Sequence, residues 1–256
     1  MYDIMPLRLM SIAIIPARFN ATRFPGKILH PILGRPMIQW VYENTVQAKG
    51  LSEVIVATDS PEIEKAVTGF GGKAILTPDH FQSGTDRIAW AVKDRACDVV
   101  INVQGDEPLL GPAPIEKLVS VLEAHPDWEM ATLCAPLQNE DCENLNAVKV
   151  AYTEAGLAES FSRAMPRLTS SAFLASKVGK HVGIYAYRKA ILEKFSRLPQ
   201  SESEKNERLE QLRALDQGWK IGVVAIDHDT VAVDVPEDVK RVEERMMQHR
   251  FHIPNS

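Results

Sequence analysis

Short apolar runs alternate with stretches of helical spacing along most of this chain. The first run, Ile12-Ala13-Ile14-Ile15-Pro16-Ala17, is continuous rather than alternating, the pattern of a strand covered on both faces. Runs of the same kind lie at 53–59 (EVIVATD), 73–76, 98–103 (DVVINV) and 129–135. Between them, apolar residues recur at helical intervals. One set is Ile63, Ala66, Val67 and Phe70, behind Pro61 in the first turn and Asp59 or Ser60 as cap. Ile88, Ala91 and Val92 form a second set, and Ile115, Leu118, Val119 and Leu122 mark a helix over 114–124. Five strands interleaved with helices predict an α/β fold with a mostly parallel sheet and right-handed crossovers. From Asn146 the rhythm changes to shorter strands at 147–152 and 183–187, with a long polar stretch at 165–180. This predicts a smaller lobe inserted around 146–203, before a helix over 203–218. No repeat or low-complexity tract breaks the chain. The reading is therefore one domain over 11–247, with an N-terminal extension 1–10 and a C-terminal tail 248–256.

Composition narrows the function. The 256 residues are 45% hydrophobic and 25% charged, enough for one large α/β core. A formal net charge of −5 argues against a nucleic-acid coat. Cys97, Cys134 and Cys142 are odd in number and lack metal-type spacing, as expected of reduced thiols in a cytoplasmic protein. No apolar run approaches the roughly 18 residues of a membrane span, so no membrane insertion is expected.

The chemistry concentrates where strands end. The first strand runs into a loop carrying Arg18, Arg23 and Lys27. Cations at the carboxyl end of a buried strand suit a polyphosphate, since open α/β sheets bind ligands at that edge. The loop is not a Walker loop, because Ala21 and Ile28 occupy positions that need Gly and Ser or Thr. The strand at 98–103 leads into Gln104-Gly105-Asp106-Glu107-Pro108. Asp106 could serve a turn or hold Mg²⁺ beside phosphates, and the two readings stand level. In Val233-Asp234-Val235-Pro236-Glu237-Asp238, read as following a short strand, the last two acids suit the first turn of a helix and leave Asp234 for metal. Gln82-Ser83-Gly84-Thr85-Asp86-Arg87 opens a helix; capping accounts for it locally, and its place at the same sheet edge leaves a nucleotide contact open. Gly69-Phe70-Gly71-Gly72-Lys73-Ala74 formally fits a dinucleotide fingerprint. It follows a helix and precedes a strand, however, which is the reverse of the required order, so helix termination is expected there.

Taken together, IIPARFNATRFPGK, VATD, QSGTDR, NVQGDEP, NAVKV, FSRA, KHVGIYAYR, LEQLR and VDVPEDV resemble the 3-deoxy-manno-octulosonate cytidylyltransferases, in the same order from Ser11 to Met247. The resemblance implies a Rossmann-like nucleotide-diphospho-sugar transferase fold and a cytoplasmic, Mg²⁺-dependent homodimer. It implies a reaction of CTP with a 3-deoxy sugar acid for the lipopolysaccharide inner core. An 8-amino analogue or a sialic acid is the alternative acceptor. By the same resemblance Arg18 and Lys27 grip the triphosphate, while Ser83, Gly84, Arg87 and Gln104 meet the nucleotide. Asp106 and Asp234 bind Mg²⁺. Gln104, Arg163, His181, Tyr185, Glu210 and Gln211 line the sugar-acid pocket, with Arg163 expected to fork onto the substrate carboxylate.

Overall fold

The computed structural model describes residues 9–19, 24–81, 83–166 and 177–250, so Arg23, Gln82 and the outer parts of both terminal segments lie outside the described residues. Its centre is β1 (Ser11–Ala17), whose side chains alternate between two cores. Ala13, Ile15 and Ala17 enter one core, and Ile12 and Ile14 enter the other. That two-sided burial explains the unbroken apolar run. Parallel to it lie β4 (Leu51–Thr58) on one side and β6 (Val99–Asn102) on the other. β5 (Ala74–Leu76) extends the sheet beyond β4, again in parallel.

The far half adds β7 (Met130–Ala135), β10 (Lys177–Arg188) and β11 (Ile221–Ala225), giving the order β11-β7-β10-β6-β1-β4-β5. The expected strand at 183–187 is the second half of twelve-residue β10, which runs antiparallel to both β6 and β7. Its first four residues also pair with β8 (Lys149–Tyr152), which pairs in turn with β9 (Ala158–Ser162), while Lys180–Val182 keep their pairing with β7. This antiparallel flap occupies the region expected for the inserted lobe.

Local chemistry sets the helix ends. α2 (Pro61–Gly69) starts at Ser60, whose hydroxyl accepts the Ile63 N–H at 3.3 Å, and Gly71 follows its end at φ 85°. The glycine-rich stretch therefore terminates a helix, as its order in the chain requires. α3 (Gly84–Val92) is capped by Ser83, which accepts the Asp86 N–H at 3.0 Å. α4 (Pro112–Ala124) covers one face of the sheet and α6 (Lys189–Phe195) follows β10. α1 (Met37–Val46) and the small hairpin of β2 (Pro31–Ile32) and β3 (Arg35–Pro36) complete the N-terminal half.

Two elements differ from the pattern reading. The helix expected over 203–218 is two pieces, α7 (Glu202–Glu207) and α8 (Leu212–Asp216), separated by Arg208 in the left-handed region (φ 56°, ψ 47°). The break turns Leu209 into the core and seats Gln211 inside the protein. The stretch before Asp234 forms no strand among the described residues. Instead Val231 and Val233 pack beneath α9 (Pro236–Arg250), together with Phe24, Ile32 and Met37. That third small core pulls the last helix onto the loop after β1. α5 (Asn139–Glu143), closed by a capping box between Gln138 and Asp141, flanks the flap.

Candidate functional site

Because β1, β4 and β6 are parallel, the residues that follow them emerge at one edge of the sheet: Arg18, Asp59 and Gln104 to Asp106. Lys27 reaches that edge from a single 3-10 turn, Lys27–Leu29, entered through Gly26 at φ 70°. The Lys27 Nζ lies 2.5 Å from Asp106 Oδ2 and 3.8 Å from Asp234 Oδ1, and donates to the Val233 carbonyl at 2.9 Å. Three residues separated by 79 and by 206 positions or more thus converge on one ammonium. Asp106 sits in a tight turn, so its turn role and its placement toward a cation coexist. Gly105 permits the approach. A Cβ there would meet Ile28 Cδ1 at 3.1 Å and the Pro16 carbonyl at 3.3 Å. Asp234 is fixed by Asp238, whose Oδ2 accepts the Asp234 and Val235 N–H groups at 2.9 and 3.0 Å. The Val233 N–H donates to the Asp106 carbonyl at 2.9 Å, in place of the expected strand pairing.

Arg18 lies in the wall of a cavity of about 520 Å³ with Phe19, Asp59, Ser60, Asp79 and Phe81. Its Nη2 is buried with no hydrogen-bond partner. Burial and the nearby Arg87 charge lower its pKa, against the opposing pull of Asp59 and Asp86. Arg87 itself was expected to meet the nucleotide, but its side chain is fully buried. One nitrogen donates to Asp59 Oδ2 at 2.5 Å, another to Thr77 Oγ1, and the guanidinium lies 6.0 Å from the Phe81 ring. In this position Arg87 orients Asp59 and the floor beneath Arg18. Gly84 is the first residue of α3, packed over Pro16, and Gln104 donates to Asn102 Oδ1 at 2.9 Å.

Of the expected sugar-acid residues, His181 and Tyr185 come together, and the charge of Glu210 bears on Tyr185. The ring of His181 lies 5.5 Å from that of Tyr185 and 5.0 Å from that of Phe161. Thr132 Oγ1 stands 3.0 Å from His181 Nε2 and 2.8 Å from the Ile184 carbonyl. A hydroxyl has one proton, so with it on Ile184 the imidazole nitrogen is the donor to Thr132. Enclosure pushes the His181 pKa down to about 3, which leaves the ring neutral. Burial, with the charge of Glu210, raises Tyr185. Burial also raises Glu210, whose Oε2 accepts from Thr85 Oγ1 at 2.5 Å. Glu210 and Ser83 line a cavity of about 820 Å³ with Asp86 and Arg213, whereas His181 and Asp234 line one of about 370 Å³. Gln211 is buried with an unpartnered Nε2.

Arg163 is placed differently from the expectation. Its fork is engaged on backbone carbonyls: Glu207 at 2.9 Å, Leu145 at 3.1 Å and Arg208 at 3.5 Å. The Glu207 and Arg208 carbonyls lie where the expected helix breaks, so Arg163 stabilises that break rather than presenting a free fork. The pattern reading did not single out Glu107. Burial and the adjacent Asp106 charge raise its carboxyl to about 8, against a hydrogen bond from Thr230. The signal was present in the sequence as a second acid directly after Asp106.

Residues 12–221 match the cytidylyltransferase family. The chain belongs to the cytidylyltransferase family. Within it, the 3-deoxy-manno-octulosonate cytidylyltransferase of Bdellovibrio bacteriovorus is 45% identical over 236 residues, 91% of this chain and 96% of that protein. An 8-amino-3,8-dideoxy-manno-octulosonate cytidylyltransferase of Shewanella halifaxensis is 46% identical over 239 residues, 91% of this chain and 97% of that protein. A solved CMP:2-keto-3-deoxy-manno-octonic acid synthetase complexed with CTP superposes with a TM-score of 0.87 at 40% identity, covering 94% of this chain and 99% of that one. A cytidylyltransferase from Leptospira borgpetersenii, at 16% identity and TM-score 0.65 over 94% of this chain and 87% of that one, shares the fold.

Proposed function

We propose that this cytidylyltransferase joins CTP to 3-deoxy-manno-octulosonate, forming the CMP-sugar and releasing pyrophosphate. The observation that carries the reading is the meeting of Lys27, Asp106 and Asp234 at the carboxyl edge of the sheet, in a chain so similar to a solved synthetase complexed with CTP. Lys27 and Arg18 are the cations available to a triphosphate. Arg18 carries a buried, unpartnered N–H that an anionic oxygen would satisfy. Such fixed donors stabilise charge that builds on the phosphate and the departing pyrophosphate.

Asp106 and Asp234 converge on one cation in this structure, the Lys27 ammonium, and the Val233 carbonyl accompanies them. These hard oxygens fit Mg²⁺, which takes one or two carboxylates and completes its shell with phosphate oxygens and water. When bound, the ion would neutralise phosphate charge and lower the pKa of the attacking hydroxyl. The chain's own residues supply the rest. Lys27 balances the two carboxylates and would be the ammonium available to a phosphate at this edge. Glu107, protonated at neutral pH, adds no further negative charge beside Asp106. His181, neutral, offers hydrogen bonding to a polyhydroxylated acceptor without repelling or trapping its carboxylate.

A role in lipopolysaccharide precursor synthesis in the cytoplasm, as a homodimer, follows from the resemblance. The free thiols and the lack of any helix long and apolar enough to cross a membrane, among the described residues, are compatible with it. A second acceptor, the 8-amino analogue, has support from the Shewanella relative at matching identity. Pyrophosphate release from CTP and from UTP, with each sugar acid in turn, tests the proposal. Preferred use of CTP with 3-deoxy-manno-octulosonate supports it. Higher kcat/KM with the 8-amino sugar moves the chain to the second reading, and release with neither sugar refutes both.

A further inference from the structure

The segment 226–235, which delivers Asp234, has no regular element to hold it. At its start the Ile226 N–H bonds the Cys134 carbonyl at 2.9 Å, and at its end Val233 bonds Asp106 and Lys27 while Asp238 accepts the Asp234 and Val235 N–H groups; midway, Arg245 donates to the Asp229 carbonyl at 3.2 Å. Between the two ends stands Lys180. Its Nζ donates to Asp229 Oδ2 at 2.8 Å and lies 3.4 Å from Asp141 Oδ1. These side chains are only 24%, 20% and 10% exposed, so the contact is sheltered from the screening that weakens surface pairs. Burial alone would lower the Lys180 pKa, and Asp229 and Asp141 more than reverse that, so the ammonium stays charged.

The three partners belong to three different parts of the site. Lys180 directly precedes His181 on β10. Asp141 is part of α5, where its other oxygen accepts the Gln138 N–H at 3.0 Å. Asp229 is followed by Thr230, which bonds Glu107, the neighbour of Asp106. Lys180, Asp229, Thr230, Glu107 and Asp234 all face the same cavity.

We infer that Lys180 is a positioning residue for the transfer reaction: by bridging Asp229 and Asp141 it holds the segment presenting Asp234 in register with the strand presenting His181 and Tyr185. The inference rests on the function proposed above. A purely stabilising ion pair would alter the melting temperature alone, whereas a register device alters how two sets of groups meet. A misplacement of about 1 Å can cost on the order of a hundred-fold in rate, so Lys180→Met should lose about ten- to a hundred-fold in kcat/KM for the sugar acid. The KM for CTP should move by less than kcat/KM for the sugar acid, because Arg18 stands on the loop after β1, outside the segment that Lys180 ties down. Lys180→Arg should restore most of the loss, since it keeps the charge and can pair with both carboxylates.

The experiment measures sugar-acid and CTP kinetics for wild type, Lys180→Met and Lys180→Arg, with melting temperatures. It adds the Mn²⁺ affinity of each protein with CTP bound, read from the paramagnetic signal of free Mn²⁺. A weaker Mn²⁺ affinity together with the sugar-acid loss in Lys180→Met, rescued by arginine, supports the inference. A lowered melting temperature with sugar-acid kinetics and Mn²⁺ affinity unchanged overturns it. If Lys180→Met does not fold, Asp229→Asn removes the same charge pair at nearly the same volume and is read by the same criteria. Wild type inactive on every sugar acid would sink the functional reading, while the Mn²⁺ measurement would still decide the role of Lys180.

Discussion

The pH response of His181 can be worked from the structure. Its pKa is held at about 3, against an ordinary 6.5, by burial. Between those values the unfolded chain binds a proton that the native ring does not, so stability rises with pH across the window. The contribution is complete above about 6.5 and is lost as pH falls toward 3. At about pH 5.0 the unfolded state has gained roughly 1.5 pH units of protonation free energy, which at about 1.4 kcal/mol per unit is about 2 kcal/mol. His181→Gln cannot titrate, yet its amide can still reach Thr132. The difference in unfolding free energy between wild type and His181→Gln should therefore shift by about 2 kcal/mol between about pH 7.5 and 5.0, wild type losing more. Urea unfolding of both proteins at both pH values, followed by tryptophan fluorescence, gives that difference, and titrations common to both cancel. The ring resonances of His181 should also stay flat across the same range. A ring that titrates near 6.5, or two stability curves that run parallel, would refute the reasoning.

Three further outcomes are expected. Gly222→Ala places a Cβ 2.3 Å from Trp128 Cε3 and Cζ3, a ring already stacked on His125 at 3.8 Å, and overpacking of this kind costs about 1–3 kcal/mol, read as a fall in Tm. Arg87→Met strands Asp59 and should destabilise the fold by about 3 kcal/mol, with a double variant that also neutralises Asp59 recovering part of it; full stability in the single variant would show the pair is idle. Asp106→Asn or Asp234→Asn should nearly abolish pyrophosphate release at saturating Mg²⁺ while the fold survives, and wild-type rates in either would remove that residue from the site.

The parts of the fold legible in advance were those written in local pattern. β1 reads as a doubly buried strand because Ile12–Ala17 is an unbroken apolar run, and Ser83, like one of Asp59 and Ser60, reads as a cap because a side-chain oxygen at that position has one obvious partner. α1 carries no such start signal: it opens after Pro36 without a side-chain cap. The split of 203–218 depends on Arg163, 45 residues away from Arg208, and a window of helical spacing cannot register a partner that distant. Strand ends predicted Arg18 and Asp106 at the sheet edge, whereas Lys27 reaches it from a 3-10 turn and Asp234 from a segment without the expected strand. Arg87 and Arg163 were expected on ligands; the structure engages Arg87 on Asp59 and Thr77 and Arg163 on backbone carbonyls, partners that no local motif shows. Lys180 was invisible for the same reason, its acids lying 39 and 49 positions away in elements with no shared motif.

β10 also governs the order in which the chain can be completed as it is made. Its residues, 177–188, fill the slot between β6 and β7, and the neighbours of β7 are β10 and β11, both of which come later in the chain. A growing chain that has exposed β7 but not β10 has one strand with no partner at all and another, β6, with a bare edge beside it. Such edges are templates for pairing with other chains. Translation pauses placed between residues 135 and 177 should therefore favour aggregation, whereas a pause after 225, once β11 is out, should not.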